Sequence, residues 1–355
     1  MAVEKTSRAR RTAATLSRSE PEIEGPLKGY HHETYVISLK GASDHLASVR
    51  WKCREPREGL YWFDRRCFPS EEAVVEALTG RITSVPELIE TKGVRLQRFV
   101  EGETLGARYG VGDEIPEAIM RQILNVFAEL ARIQPATLTV KCLCAAEDRV
   151  RDGDTNGFLE RLIRFTEMSV YRKHRNLYGD LFAELGIPGD AFKSLREQVA
   201  GLRERPFRLL HADLHRENLI LDPSDRLWVI DWELAMFGDP LYDLATHLHL
   251  MRYPEVQEKR VVEEWRDVEG SASSVGLDDD LPLLLAYKRA QSVFTDVIRS
   301  ALTLRNAGRA VDRTGLLAAT ARKLHSVLLH GAPPLGVISV PATRSIATIM
   351  REWLG

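Results

Sequence analysis

The sequence contains few cysteines and no long hydrophobic run. Four cysteines in 355 residues (Cys53, Cys67, Cys142 and Cys144) are too few for a disulfide framework, and one residue between the last two is not the spacing of a zinc knuckle. We therefore expect reduced thiols in a cytoplasmic protein. No apolar run approaches the roughly 20 residues needed to cross a bilayer, so we expect no membrane segment.

The sequence also has no large excess of positive or negative charge. Lys and Arg total 49 against 51 Asp and Glu, which gives a formal net charge of -2. This balance provides no electrostatic reason to expect nucleic acid or an anionic membrane as a partner. The first 20 residues carry five basic and two acidic residues without an apolar core, which excludes a secretory signal. A basic transit-like arm is one interpretation; we favour a disordered basic tail over residues 1–24.

The remaining pattern divides the chain into a β-rich part and a helical part. Residues 25–101 read as strands separated by turns, with one short helix that Ser70 can cap and that carries Glu71 and Glu72 in its first turn. From residue 104 on, apolar residues recur at helical spacing. We therefore predict an α+β, two-lobed fold with a small antiparallel β-rich N-lobe and a larger, mainly helical C-lobe over 102–355.

Within the second part, one segment interrupts hydrophobic runs with acids and an amide. In HADLHRENLILD (211–222) and LWVIDWELAMFGDPLYDLA (227–245), Asp213, Asn218 and Asp231 follow one another at gaps of five and thirteen residues. A hairpin of the two short strands would bring Asn218 beside Asp231. A free carboxylate next to a carboxylate and an amide oxygen suits a hydroxyl acceptor beside a Mg²⁺ site. Ordinary turn residues would explain one of these side chains, but not all three together.

This segment resembles the aminoglycoside phosphotransferase and choline kinase-like enzymes. GDPLYDLA (238–245) after the metal-type Asp is typical of them, whereas protein kinases carry D-F-G and A-P-E. The resemblance is sharp over 207–247 and covers about residues 25–330 in architecture. It implies a protein kinase-like fold, ATP or GTP as phosphoryl donor, and a small-molecule hydroxyl as acceptor.

A kinase also needs nucleotide contacts in its first lobe. The loop GYHHETY (29–35) would cover the phosphates, although it keeps only one glycine of the usual three. Arg50, Lys52 and Arg54 share one face of a predicted strand. We predict that Lys52 pairs with Glu71, with Arg50 and Glu72 as substitutes, and that residues 97–102 form the hinge that meets the purine.

The residue roles follow from this template and from the resemblance. Asp213 would orient the hydroxyl and accept its proton, Asn218 and Asp231 would bind Mg²⁺, and His211 and Asp243 would support the loop. The predicted nucleotide contacts are Lys52, Arg50, Glu71, Gly29, His31, His32, Thr34, Gln97 and Phe99.

The acceptor is indicated only by conflicting signals. Residues 231–280 hold thirteen acids against four bases, and Asp278–Asp280 could grip a cationic aminoglycoside, although a solvated loop before a helix starting at Pro282 is the favoured interpretation. The Arg- and Lys-rich segment 161–175 would repel such a substrate, and nearby aromatic side chains would suit a flat ring. Those aromatic residues are Phe158, Phe165, Tyr171 and Tyr178.

We predict phosphorylation of an antibiotic, either an aminoglycoside or a sugar-bearing nucleoside drug, in resistance or self-resistance. A choline- or homoserine-type metabolite kinase and a non-catalytic nucleotide-binding module are the alternatives. A protein kinase is disfavoured because no A-P-E segment follows IDWE. The oligomeric state cannot be predicted from the sequence.

Overall fold

The small lobe is built on a four-stranded antiparallel sheet. The computed structural model describes residues 7–29, 31–41, 46, 48–57, 59–308 and 312–355, so Tyr30 of the predicted phosphate loop lies outside the described residues. The sheet has the strand order β1-β2-β4-β3. Its strands are β1 (His32–Ile37), β2 (Trp51–Pro56), β3 (Leu88–Thr91) and β4 (Val94–Arg98). The predicted β-rich N-lobe is confirmed.

The predicted disordered tail is wrong for its described part. Residues Arg8–Leu16 form helix α1, which Ser7 caps by accepting a hydrogen bond from the Arg10 N–H at 3.1 Å. Ala9, Ala13 and Leu16 are buried in one cluster with apolar side chains of β1 and β2. These apolar positions recur at helical spacing among the basic residues and cover the sheet.

We expect Leu16→Ala to destabilise the small lobe by about 2–5 kcal/mol, because it removes a buried side chain and leaves a cavity. Thr15→Ala, on the exposed side of the same helix, is the matched control and should change the free energy of unfolding by less than about 0.5 kcal/mol. Chemical denaturation measures both. Equal stability of the two variants would mean that α1 does not dock in solution.

Helix α2 (Glu71–Leu78) follows as the sequence predicted. Ser70 accepts a hydrogen bond from the Ala73 N–H at 3.2 Å, and Glu71 and Glu72 lie in the first turn, where the helix dipole favours negative charge. Val74, Val75 and Leu78 are buried. This packing places Glu71 against the two inner strands of the sheet, where it contacts Arg54 of β2 and Gln97 of β4.

The chain passes between the lobes through residues 99–102. Strand β5 (Glu103–Thr104) pairs with a strand of the large lobe, so the connection is anchored on both sides. Gly102 has φ of 148°, and a Cβ there would collide with the Leu221 carbonyl oxygen, so the close approach of the backbones requires glycine. The remaining strands are β6 (Arg208–Leu210), β7 (Leu219–Leu221), β8 (Leu227–Val229) and β9 (Met236–Gly238).

Helices form the bulk of the described large lobe. They are α3 (Leu105–Arg108), α4 (Glu117–Leu130), α5 (Thr155–Phe165), α6 (Arg175–Glu184), α7 (Ala191–Gln198), α8 (Pro240–Met251), α9 (Glu255–Ser273), α10 (Leu277–Asn306), α11 (Arg313–Gly331) and α12 (Thr343–Leu354). The helical path of α5 continues through a π-helical turn at Thr166–Tyr171 towards α6. One expectation is corrected: α10 begins at Leu277 instead of Pro282. No described helix has the length and hydropathy to cross a membrane.

The motif GDP (238–240) begins α8 and ties it to the rest of the large lobe. The Asp239 carboxylate accepts the Leu241 N–H at 3.0 Å, and Pro240 occupies the first helical position. Asp239 also binds the buried Arg205 guanidinium through two bonds of 2.8 and 2.6 Å, and Arg205 reaches Asp280 at 2.5 Å. Asp280 is therefore a structural residue, which the favoured interpretation of a solvated loop missed.

Candidate active site

The predicted catalytic loop connects β6 to β7 and lies at the cleft between the lobes. Asn218 donates from its amide to the Asp213 carbonyl oxygen at 2.9 Å and to the Asp213 carboxylate at 3.1 Å. Burial is the largest single influence on the Asp213 pKa and raises it, but the hydrogen bond and charge of His215, with smaller contributions from other neighbours, together lower it. Asp213 therefore presents an ionised carboxylate to the cleft at neutral pH.

Asp243 fixes the start of this loop from α8. Its carboxylate accepts the N–H groups of His211 at 3.0 Å and Ala212 at 2.7 Å. Ala212 has φ of 64°, a left-handed conformation that costs free energy for a residue with a Cβ and persists only where surrounding contacts hold it. Burial raises the Asp243 pKa to about 6, with the two N–H bonds acting in the opposite direction.

His211 lies inside the large lobe and contacts the same loop. Its Nε2 donates to the Ile230 carbonyl oxygen at 3.1 Å, and its Nδ1 accepts the Asp213 N–H at 3.3 Å. Burial lowers the His211 pKa to about 4, so the ring is neutral at pH 7. These contacts are those of a loop-supporting residue, and the supporting role stays a prediction.

Asp231 follows β8 and lies beside Asn218, as the hairpin predicts. The Ile230 N–H donates to the Asn218 carbonyl oxygen at 3.0 Å, and Asp231 then turns with φ of 65°. Burial and the neighbouring carboxylates of Glu71, Glu233 and Asp213 raise the Asp231 pKa well above its usual value. A group of acids this close together favours a bound cation.

This donor set fits Mg²⁺. Because the Asn218 amide nitrogen is occupied by Asp213, its Oδ1 is the atom available to a cation, together with the Asp231 carboxylate. Mg²⁺ prefers oxygen ligands and takes only one or two carboxylates from a protein. Among the described residues, no three His, Cys, Asp or Glu side chains form a metal cluster by themselves.

The cleft has a volume of about 740 Å³. It is lined both by predicted nucleotide-binding residues of the small lobe and by predicted catalytic and metal-binding residues of the large lobe. The predicted residues that line it are Gly29, His31, His32, Thr34, Lys52, Glu71, Gln97, Phe99, Asp213 and Asp231. Asn218, His211 and Asp243 are buried next to it. Residues that are far apart in the sequence therefore meet at one site.

The predicted ion pair between Lys52 and Glu71 is wrong. Arg54 takes this place: its guanidinium binds the Glu71 carboxylate and reaches Glu72 at 2.6 Å. Arg54 lies two residues further along the same face of β2, and its longer side chain reaches the start of α2. Lys52 lines the cleft, and burial lowers its pKa, although Glu71 and Asp231 oppose the shift.

The predicted role of Arg50 in nucleotide binding is also corrected. Its guanidinium binds Glu101 at 2.6 and 2.7 Å and Glu24 at 2.6 Å, and it lies 4.7 Å from the centre of the Phe99 ring. Among the described residues that line the cleft, the cations of this strand are Lys52 and Arg54. Arg50 instead joins the small lobe to the hinge.

We expect Arg54→Met to destabilise the protein by about 3–5 kcal/mol, because it leaves the buried Glu71 carboxylate without its partner. Adding Glu71→Gln should recover most of this loss, since the buried carboxylate is then gone and only Glu72, which is more exposed, lacks its partner. Denaturant unfolding of the two single variants and the double variant measures the coupling. An Arg54→Met protein as stable as the wild type would mean that Lys52 replaces Arg54 as the partner of Glu71.

A second ion-pair group connects the predicted phosphate loop (29–35) to the segment after β8 that carries Asp231 and Glu233. Glu233 accepts hydrogen bonds from His31 and Arg66, and both of these side chains stack on Trp62, at 4.2 and 3.9 Å. Burial opposes ionisation of Glu233, but His31 and Arg66 keep its pKa below the usual value. None of Glu233, Arg66 and Trp62 belongs to a motif that would have predicted this contact from the sequence.

The acceptor signals taken from segment 161–175 are not supported. None of its residues is among the described residues that line the cleft; Phe158 and Tyr178 are core residues, and Phe165 and Tyr171 pack against the core. On the large-lobe side, the cleft is lined by a polar stripe on α10. This stripe consists of Lys288, Gln291, Ser292, Thr295 and Arg299. These five residues recur at helical spacing, so they share one face of α10.

The two-lobed fold and the loop geometry are those of a protein kinase-like phosphotransferase. A model of the phosphotransferase enzyme family matches residues 22–275, more than half of the chain. The chain belongs to this family, so the resemblance stated from the sequence is confirmed. No curated protein sequence matches it.

Solved structures with the same fold share little sequence identity with this chain. A choline/ethanolamine kinase family protein from Mesorhizobium loti is 15% identical over 97% of this chain and 98% of that one, with a TM-score of 0.51. A Ralstonia eutropha protein assigned as an aminoglycoside phosphotransferase is 13% identical over 93% and 92% (TM-score 0.55), and Plasmodium vivax ethanolamine kinase is 12% identical over 92% and 83% (TM-score 0.53).

Proposed function

We propose that this protein transfers the γ-phosphoryl group of ATP or GTP to a hydroxyl group of a small molecule. The observation that carries the proposal is the contact of Asp213 with Asn218 beside Asp231, across a cleft from Lys52 and Arg54. Membership of the phosphotransferase enzyme family supports the same reaction class.

In this reaction the acceptor hydroxyl donates a hydrogen bond to the Asp213 carboxylate. The hydroxyl oxygen forms a bond to the γ-phosphorus while the bond to the β,γ-bridging oxygen breaks, and the nucleoside diphosphate leaves. The hydroxyl proton passes to Asp213 late, because the transition state is loose and positioning contributes most of the rate.

The cations of the cleft balance the phosphate charge. Lys52 and Arg54 face the phosphates from β2, and Arg54 is fixed in place by Glu71 and Glu72. Asn218 and Asp231 would hold Mg²⁺, which when bound neutralises charge on the nucleotide phosphates. The Glu233 contacts with His31 and Arg66 hold the phosphate loop over this region.

Phosphoryl transfer to a panel of acceptors tests the proposal. Protein with Mg²⁺ and ATP or GTP is offered aminoglycosides, sugar-bearing nucleoside antibiotics, macrolides, choline, homoserine and peptides, and mass spectrometry detects the gain of a phosphoryl group. A gain on a small molecule that Asp213→Ala abolishes supports the proposal. Phosphorylation of peptides alone contradicts it. An antibiotic as the natural acceptor stays a prediction.

A further inference from the structure

Lys288 is a buried cation on the acceptor side of the cleft. It is 7% exposed, and its ammonium group donates to the Gln291 side-chain oxygen at 2.9 Å and to the Tyr242 hydroxyl at 3.3 Å. Both partners are neutral, and no described carboxylate forms an ion pair with it. A buried ammonium group without a direct ion-pair partner is costly, and an anionic ligand would supply such a partner.

One N–H donor of the Lys288 ammonium group is not used by Gln291 or Tyr242. It carries three donors, of which Gln291 and Tyr242 take two. Gln291 cannot turn away, because its amide donates to the Asp64 carboxylate at 3.0 Å. This contact also occupies Asp64, a carboxylate that lines the acceptor side of the cleft. The third donor of Lys288 therefore has no acceptor within this group of residues.

Lys288 is close to the reacting group. Lys288 and Asp213 line the same cleft, and Tyr242, whose hydroxyl contacts Lys288, lies on α8 next to Asp243, which holds the loop of Asp213. Asp243 on α8 also faces Lys288, and its charge is partly compensated by the N–H groups of the loop. An acceptor with its hydroxyl on Asp213 would thus bring its neighbouring groups to Lys288.

A second cation lies on the same face of α10. Arg299 follows Lys288 by eleven residues, which is about three helical turns or roughly 16 Å. It is exposed at the cleft and lies 4.7 Å from the centre of the Phe63 ring. One anionic group cannot contact both cations at this distance, so Arg299 would attract an anion and Lys288 would bind it.

We propose that the acceptor is an anionic hydroxyl compound, such as a sugar acid or a sugar phosphate, whose carboxylate or phosphate binds Lys288 while its hydroxyl meets Asp213. This inference rests on the proposed phosphotransferase function and names its substrate class. A polycationic aminoglycoside would place its ammonium groups against Lys288 and Arg299, and is therefore disfavoured as the acceptor.

Calorimetric binding to the Mg–ADP-loaded protein tests the inference without requiring turnover. The probes are glucuronate, glucose and glucosamine, which share one ring and differ in charge, with glucose 6-phosphate as the phosphate arm. We expect glucuronate or glucose 6-phosphate to bind at least about tenfold more tightly than glucose and glucosamine. Whichever anion binds more tightly shows whether the site takes a carboxylate or a phosphate. No dependence on charge, or preference for glucosamine, overturns the inference.

Substitutions assign the effect to Lys288. We expect Lys288→Met to weaken the anionic probe about 10–100-fold without weakening glucose, Lys288→Arg to retain most of the affinity, and Lys193→Met, on an exposed lysine of α7, to change nothing. Thermal unfolding identifies a variant that fails to fold, in which case Lys288→Arg carries the test through the anion preference. Retained anion preference in folded Lys288→Met contradicts the inference.

Two further measurements separate other roles of Lys288. If Lys288→Met weakens a non-hydrolysable ATP analogue relative to ADP but leaves glucuronate unchanged, the lysine belongs to the nucleotide site and the inference is wrong. If only the pH profile of turnover moves, it supports Asp213 and the inference is also wrong. Failure of the proposed function would show separately, as absence of phosphoryl transfer to every acceptor tested, whichever probe binds.

Discussion

Asp213→Asn is expected to reduce phosphoryl transfer by about 10³–10⁴-fold while leaving Mg–nucleotide affinity within about twofold of the wild type. Loss of a positioned general base typically costs about 10²–10⁴-fold, and here the same carboxylate also orients the acceptor hydroxyl. Asparagine keeps the size of the side chain and an oxygen acceptor, but it cannot take the proton. Steady-state kinetics and nucleotide titration measure the two quantities.

The geometry explains why binding should survive this change. The Asn218 amide donates to the backbone carbonyl of residue 213 as well as to its side chain, so one of the two bonds remains. The loop itself is held by Asp243 through the N–H groups of His211 and Ala212, which the substitution does not touch. Thermal stability should therefore change little.

Asp267→Asn is the matched control, because Asp267 lies exposed on α9 and outside the cleft. It should leave turnover and nucleotide affinity unchanged. An Asp213→Asn protein that still transfers phosphate at more than a tenth of the wild-type rate would exclude Asp213 as the base. A loss of nucleotide affinity would instead show that Asp213 belongs to the metal site.

Asp231→Asn is expected to have opposite effects on the free and the ligand-bound protein. Without ligand, the variant should be more stable than the wild type at pH 7, because burial and the carboxylates of Glu71, Glu233 and Asp213 oppose the charge of Asp231. With Mg–nucleotide the order should reverse, because the variant lacks the carboxylate that binds the cation. Thermal and chemical unfolding with and without ligand measure both effects.

The expected size of the ligand effect follows from mass action. At a ligand concentration one hundred times the dissociation constant, the wild type gains about 2.7 kcal/mol. If Asp231→Asn weakens binding by about 100-fold, the same concentration stabilises the variant by only about 0.4 kcal/mol. Turnover should fall with the loss of the bound cation. Equal stabilisation of both proteins would exclude Asp231 as a metal ligand.

The stability difference should also depend on pH in a defined direction. The pKa of Asp231 in the folded protein is raised above the ordinary value of 3.8. Binding of a proton to Asp231 therefore stabilises the fold, and this stabilisation is complete below pH 3.8. It is lost as the pH rises through the folded-state pKa. The advantage of Asp231→Asn in the free protein should therefore be absent below about pH 4 and should grow towards neutral pH. The opposite trend would contradict the charge cluster.

The sequence determined the class of fold and the centre of the site because both depend on local patterns. Strand alternation, helix caps such as Ser70, and the spacing of Asp213, Asn218 and Asp231 are properties of short segments. A hairpin between two short strands is enough to bring the last two together, and the observed pairing of Leu219 with Val229 does this.

Only the tertiary structure decided which of several chemically similar residues takes each position. Arg50, Lys52 and Arg54 share one strand face, and their partners depend on where the hinge and α2 lie. Docking of α1 and the position of Lys288 in the cleft depend on packing between segments far apart in the chain. Sequence spacing fixes the direction of a side chain within its own element, but distances between elements are set by the packing of the whole core.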